Sequence, residues 1–428
     1  MVKSMNVNAQ FLKKSLKDNP DFVIRELESG TRDKIYICFF ESLVESSAIY
    51  DFVIKNIYAY LNLKKKIRDI KPLLGGPKLS TLNSDEEMFY YIENGFAVIL
   101  HKDERYAIEV KANLDRGITT SQTEPNMYGP KDSFCENYQK NLGLIKRRIK
   151  NKNLRVESVD RGIYTKTKIG LVYIEDKVDN GELAKTKETL NKFKDLEVID
   201  SYDVVKELKQ NKIFPTILKT ETPAIASRYL LKGYIVLTID NTPFVLVLDA
   251  KLPDFVNPFT TDSFVRVLRY VCFFLTVLTP AIYIALINFD QEAIPTSLLI
   301  SFSEQRSGVP FPAIVEAVIM LGICEILRES DIRFPSNYGS SASILGALIL
   351  GEAAVSAGFV SPIMIIVVAI SFITGLIFTE VKLVNALRVM RFSFLLVASF
   401  LGLYGLSMAV ISCIAIMANV KLNEGVYL

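Results

Sequence analysis

The stretch that decides the fold is Tyr270-Val-Cys-Phe-Phe-Leu-Thr-Val-Leu-Thr-Pro-Ala-Ile-Tyr-Ile-Ala-Leu-Ile287, 18 residues without a charge. As helix it spans about 27 Å, close to the ~30 Å hydrocarbon core of a bilayer. The composition around it changes abruptly. The 428-residue chain carries 50 Lys+Arg and 47 Asp+Glu, but residues 265–428 hold only 9 and 10 of these. Mean hydropathy is +0.25, above the range of ordinary soluble domains. A charged first part followed by an apolar second part is the pattern of a water-soluble region joined to a membrane region.

Four more segments read as membrane helices: 310–327, 344–359, 362–378 and 392–417. The fold class expected is therefore an α/β soluble region made of two similar subdomains, followed by an all-α polytopic membrane domain of about five helices. Positive residues sort by side. Arg266, Arg269, Arg328, Arg333, Lys382, Arg388 and Arg391 fall on one face, which the positive-inside rule makes cytosolic. The soluble region then lies in the cytosol, and the C-terminus lies outside if all five segments cross. The spacings Ser343-x-x-x-Ala347-x-x-x-Gly351, Ala354-x-x-x-Gly358, Ala398-x-x-x-Gly402 and Gly405-x-x-x-Ala409 suit close helix packing in lipid.

Three carboxylates fall inside these segments. An ionisable group at a bilayer centre costs roughly 2.5–3.5 kcal/mol on insertion scales, so each needs a partner or a polar path. Glu325 lies beside Arg328 and Arg333, where local pairing or hydration suffices. Glu316 and Glu352 are the candidates for an ion path, Glu316 with interfacial pairing as the equal alternative. Glu316 and Glu325 are nine residues apart, on opposite sides of a helix.

The soluble region reads as a duplication. Lys34-Ile-Tyr-Ile-Cys38-Phe-Phe-Glu41 matches Lys168-Ile-Gly-Leu-Val172-Tyr-Ile-Glu175 at a spacing of 134 residues. The hairpin pattern from Gly95 to Val110 recurs from Gly233 to Leu248 at a spacing of 138. The domains expected are an α/β subdomain over 1–115, a linker and helix over 116–154, a second α/β subdomain over 155–264 and the membrane domain over 265–428. A mixed sheet flanked by helices is expected in each copy. In the linker, Asp132 or Ser133 is expected to cap a helix ending in Lys146-Arg147-Arg148-Ile149-Lys150, read as a solvated helix end with lipid attraction as the alternative.

Other function classes are disfavoured. Net charge is only +3, so nucleic acid is not an expected partner. The five cysteines are scattered, and His101 is the only histidine. There is no phosphate-binding glycine loop, zinc motif or nucleophile elbow, so neither an enzyme nor a cofactor nor a metal site is expected. No repeats within the apolar part point to a secondary transporter. The N-terminus lacks the apolar core of a signal peptide.

The run Arg306-Ser-Gly-Val-Pro310-Phe-Pro312-Ala-Ile-Val-Glu316 through Glu325-Ile-Leu-Arg328 resembles the A-subunit type of the GerA spore germination family. So does Gly346-Ala-Leu-Ile-Leu-Gly351-Glu-Ala-Ala-Val-Ser-Ala-Gly358-Phe-Val-Ser361-Pro362. Glu124-Pro125, Gly129-Pro130, Phe134, Thr165-Lys166-Thr167, Thr220-Glu221-Thr-Pro223 and Thr242-Pro243-Phe244 look like further landmarks in family order. The resemblance implies a multi-pass protein of the spore inner membrane with its N-terminal domain facing the spore core. It implies a nutrient germinant receptor with a permease-like B subunit and a lipoprotein C subunit. It also implies a ring-forming homo-oligomer in membrane lipid, acting as a ligand-gated cation channel that starts germination. A non-conducting scaffold or signalling subunit, and a paralogous sporulation branch that amplifies germination, stay open. Two features depart from the family pattern. Glu352 stands where the family often has Gln, and the chain stops at Leu428 without the family's longer Pro-containing tail, which puts channel competence in question.

Overall fold

The apolar run Lys34–Phe40 forms a strand, β2, whose side chains are buried almost end to end. A strand covered on both faces must send alternate residues into two cores. Ile35, Ile37 and Phe39 join one core with Ile49, Val53, Ile57, Ile99 and Ile108. Tyr36, Cys38 and Phe40 join the other with Leu12, Met88, Ile92 and Val98. Burial pushes the Cys38 thiol up to about 12, which makes it inert packing. The chain is seen in a computed structural model, which describes residues 7–16, 19–28, 34–62, 67, 69–76, 78–112, 130–192, 196–208, 211, 213–256, 263–333, 351–420, 422 and 427–428.

Around β2, the strands β1 (Phe22–Glu28), β3 (Leu79–Thr81), β4 (Phe96–His101) and β5 (Glu104–Glu109) complete a sheet in the order β1-β2-β4-β5-β3. Its helices are α1 (Val7–Ser15), α2 (46–62, with a π-helical turn at Tyr50–Ile54) and α3 (Asp85–Glu93). The second sheet has β6 (Leu154–Arg161), β7 (Thr167–Ile174), β8 (Leu218–Thr220), β9 (Val236–Ile239) and β10 (Val245–Val247), in the order β6-β7-β9-β10-β8. Adding five to each strand number turns the first order into the second, as a duplication requires. The flanking helices are α4 (Tyr138–Arg148), α5 (Asn180–Lys192), α6 (Ser201–Glu207) and α7 (Pro223–Leu231). Both sheets are wholly antiparallel, not mixed. The hairpins β1–β2 and β4–β5 fix the local direction. The α2–α3 excursion then returns the chain beside β2 running the opposite way, so no parallel crossover arises.

The linker helix corrects two expectations. Its cap is Asn137, whose side chain accepts from the Lys140 N–H at 3.0 Å. Asp132 instead pairs with Arg148 at 2.5 Å, and Ser133 is buried. Lys146 is not solvated. It is buried, pairs with the Asp21 carboxylate and lies 3.8 Å over the Phe40 ring. Asp21 also accepts from the Ser42 N–H at 2.9 Å and hydroxyl at 2.6 Å. This buried pair ties α4 to the first sheet, a role invisible in a run of basic letters.

Glu93, at the end of α3, sits close to this pair. Burial raises its carboxyl to about 7, against the opposing pull of Lys146, Lys152 and Lys150. A carboxyl raised in the fold stabilises it while protonated. That contribution is lost as pH rises from the ordinary value of 4.5 through about 7. Glu93→Gln is therefore expected to match the parent's melting temperature below pH 5 and to exceed it above pH 7. Parallel melting curves across that window would exclude this account.

The second compact unit comprises residues 211–216 and 250–428. Its helices are α8 (Ser263–Asn288), α9 (Thr296–Arg306), α10 (Ala313–Arg333), α11 (Pro362–Gly375) and α12 (Val381–Ala418). By length and composition α8 and α12 could cross a membrane, while α11 is apolar but shorter. Tyr283, Ile284 and Ile287 of α8 pack with Ala317 and Leu321 of α10, Met364 and Val368 of α11 and Leu395 of α12. The expected segment 344–359 is described only from residue 351, with helix over 351–356.

The segment 392–417 is not one straight span. Gly402 has φ 60° and ψ −151°, a region essentially reserved for glycine, and interrupts α12. A Cβ built on Gly405 would lie 3.1 Å from the Val397 side chain. Eight residues of continuous helix would separate the two by about 12 Å. The arm after Gly402 therefore folds back along the arm before it. Val389, Val397 and Leu401 face Gly405, Met408 and Cys413 across a cleft of about 430 Å³. Further on, the Tyr427 carbonyl accepts from the Leu252 N–H at 2.8 Å, so the C-terminal residues return to the segment that precedes α8. This reversal removes the parity argument that placed the C-terminus opposite the start of α8.

Candidate ionic sites in the helical unit

Two ionic clusters occupy the helical unit, one around the fully buried Glu316 and one around the half-buried Glu325. Glu316 projects from the first turn of α10, which follows Pro310-Phe-Pro312. It is fully buried. One carboxylate oxygen accepts from the Ser361 N–H at 2.9 Å and the Ser361 hydroxyl at 2.8 Å. The other lies 3.5 Å from Nε of Arg306, the last residue of α9. Ser361 is the N-cap of α11, with Pro362 next in its first turn. The carboxylate thus sits at the N-terminal ends of both α10 and α11, where helix dipoles favour negative charge. It clasps two helix starts and the end of a third helix.

Glu325 lies about two and a half turns further along α10, on the opposite side. It is held by Arg391 at 2.5 Å and Arg388 at 2.7 Å, both from α12. Arg391 reaches the Ser371 hydroxyl at 3.3 Å. Ser371 donates to the Thr276 carbonyl at 2.6 Å, and the Thr276 hydroxyl meets that of Thr374 at 2.9 Å. The network connects α8, α10, α11 and α12. Glu325 thus pairs with partners more than 60 residues away, not with its sequence neighbours as expected. The missed signal was the spacing of Arg388 and Arg391, three apart and so on one helix face.

Glu352 is exposed on the helix over 351–356. Gly358, with φ 69°, turns the chain beside the Gly308 carbonyl, and Ala354 packs on the bundle core. Gly402 serves chain reversal, and Gly405 permits the close approach of the two α12 arms. Ser343, Ala347, Glu124, Pro125 and Gly129 lie outside the described residues. In the α/β unit, Thr220 accepts from the Thr222 N–H at 3.0 Å, and Pro223 opens α7. The Glu221 carbonyl accepts from the Phe134 N–H at 2.7 Å, so the linker after Pro130 is laid against this turn. These landmarks build a helix start.

The chain combines an α/β region of two like-ordered antiparallel sheets with an apolar helical unit carrying ion pairs, and comparison with known proteins defines the family. The profile described as Bacillus/Clostridium GerA spore germination protein matches residues 10–428. The chain belongs to this family. It is 33% identical to spore germination protein KA of Bacillus subtilis, over 95% of this chain and 78% of that protein. It is 30% identical to spore germination protein GerQA of Bacillus cereus, over 95% and 82%. The crystal structure of the N-terminal domain of the A subunit of the Bacillus megaterium spore germinant receptor GerK3 is similar at a TM-score of 0.43. That match has 21% identity and covers 57% of this chain and 93% of that one.

Proposed function

We propose that this chain is the membrane subunit of a spore nutrient germinant receptor, in which several copies form a ligand-gated cation channel. It acts with a permease-like B subunit and a lipoprotein C subunit in the spore inner membrane, its α/β region facing the core. The observation that carries the channel reading is Glu352. A carboxylate exposed on an apolar helix is costly in lipid, but suits a water-filled axis between copies. Nutrient bound by a partner would shift the helices between two packings.

Reconstituted with its partners in liposomes, the full chain should release potassium when nutrient is added, and Glu352→Gln should cut that flux about tenfold. A chain that stays monomeric and passes no cation would end the channel reading. A second reading, a non-conducting signalling subunit, is favoured by the occupied state of Glu316 and Glu325, both held by hydrogen bonds or ion pairs. Under it, Glu352→Gln leaves ion release unchanged.

A further inference from the structure

Among the described residues, the cluster around Glu325 brings together more guanidiniums than carboxylates. Three guanidiniums, those of Arg328, Arg388 and Arg391, lie within electrostatic range of one another and of this one carboxylate. Arg391 is buried, and its Nε makes no hydrogen bond to any described residue. Arg388 is only partly covered and also bonds Asn385 at 3.0 Å. Arg328 is half-buried and stacks on the Phe372 ring with its centre 5.3 Å away. It makes no hydrogen bond or ion pair with a described residue, and its guanidinium approaches the bare backbone of Gly375. A partly buried guanidinium whose five donors meet no acceptor among the described residues suits an oxyanion.

We infer that Arg328, with Arg388 and Arg391, forms a site for a phosphate group, presented between α10, α11 and α12. The planar donor fork of arginine matches phosphate oxygens two at a time; Arg328 offers that fork, while Arg388 and Arg391, engaged with Glu325, add positive charge beside it. The stacking of Arg328 on Phe372 holds its fork in place without consuming a donor. Basic pockets between membrane helices on the cytosolic side are suited to anionic headgroups. This cluster shares its end of the chain's charge pattern with Arg266, Arg269 and Lys382. The phosphate comes from an anionic lipid or from free phosphate, and the chemistry of the site is the same for both. The site is independent of whether the oligomer conducts.

The full chain, purified in detergent and offered phosphatidylglycerol, is examined by native mass spectrometry for retained lipid. Arg328→Gln should lower retention roughly fivefold to tenfold, and Arg328→Lys should fall between it and the parent. Arg269→Gln, which removes a charge outside the cluster, should match the parent. Displacement of the lipid by inorganic phosphate, absent in Arg328→Gln, would identify free phosphate as an equal ligand. Resistance to displacement would identify the lipid. Equal retention by the parent and Arg328→Gln, or an equal loss in Arg269→Gln, would overturn the site.

Discussion

Replacing Arg391 by methionine is expected to destabilise the helical unit by about 3–5 kcal/mol, the usual effect of stripping one partner from a buried ion pair. For a unit of this size that corresponds to a fall in melting temperature on the order of 10 °C. The size follows from what Arg391 does. It is buried, it holds Glu325 at 2.5 Å, and through Ser371 it connects to the Thr276 carbonyl. Without it, one oxygen of Glu325 faces an apolar interior and Arg388 alone must balance the charge. Changing Glu325 to leucine as well removes the orphaned charge, and the double variant should recover part of the loss. The recovery stays partial because Arg388 then lacks its carboxylate. Thermal unfolding of the three proteins in one detergent is the measurement. A single variant that melts within 2 °C of the parent would show that the pair is solvated.

How far the letters reached depended on the range of the physics involved. The likeness of the two sheets was legible because their strands are written in local apolar runs. Residues 35–40 and 169–174 are runs without a charge whatever surrounds them, and both lie in interior strands. The division into charged and apolar parts was legible for the same reason. Pairing was not. In sequence Glu325 neighbours Arg328 and Arg333, whereas bundle packing brings Arg388 and Arg391 to it as ion-pair partners. Lys146 was read within its basic run, whereas Asp21 lies 125 residues before it. Glu316 shows an intermediate case. Its place after Pro312 located it near a helix start, but only the fold supplied Ser361 as the partner.

Gly402→Ala is expected to undo the reversal of α12. The region that Gly402 occupies is strained by roughly 1–3 kcal/mol for any residue with a Cβ. The new Cβ would also meet Phe289 Cβ at 3.0 Å and the Asp290 carboxylate at 3.3 Å. A continuous helix is the cheap escape, because the residues on either side are already helical and alanine favours that state. Straightening would carry the arm after residue 402 away from the cleft, at the expense of the Leu252–Tyr427 hydrogen bond. Spacing between the arms reports the outcome. Ser393 and Ser412 both line the cleft and are exposed, so Ser393→Cys and Ser412→Cys should be bridged by a short bifunctional maleimide. Adding Gly402→Ala should abolish that bridge while leaving each thiol reactive by itself. If bridging persists at the parent's rate, the reversal is set by the packing of the arms rather than by the backbone freedom of one glycine. In that case Gly405, whose missing Cβ lets Val397 approach, becomes the residue on which the hairpin depends.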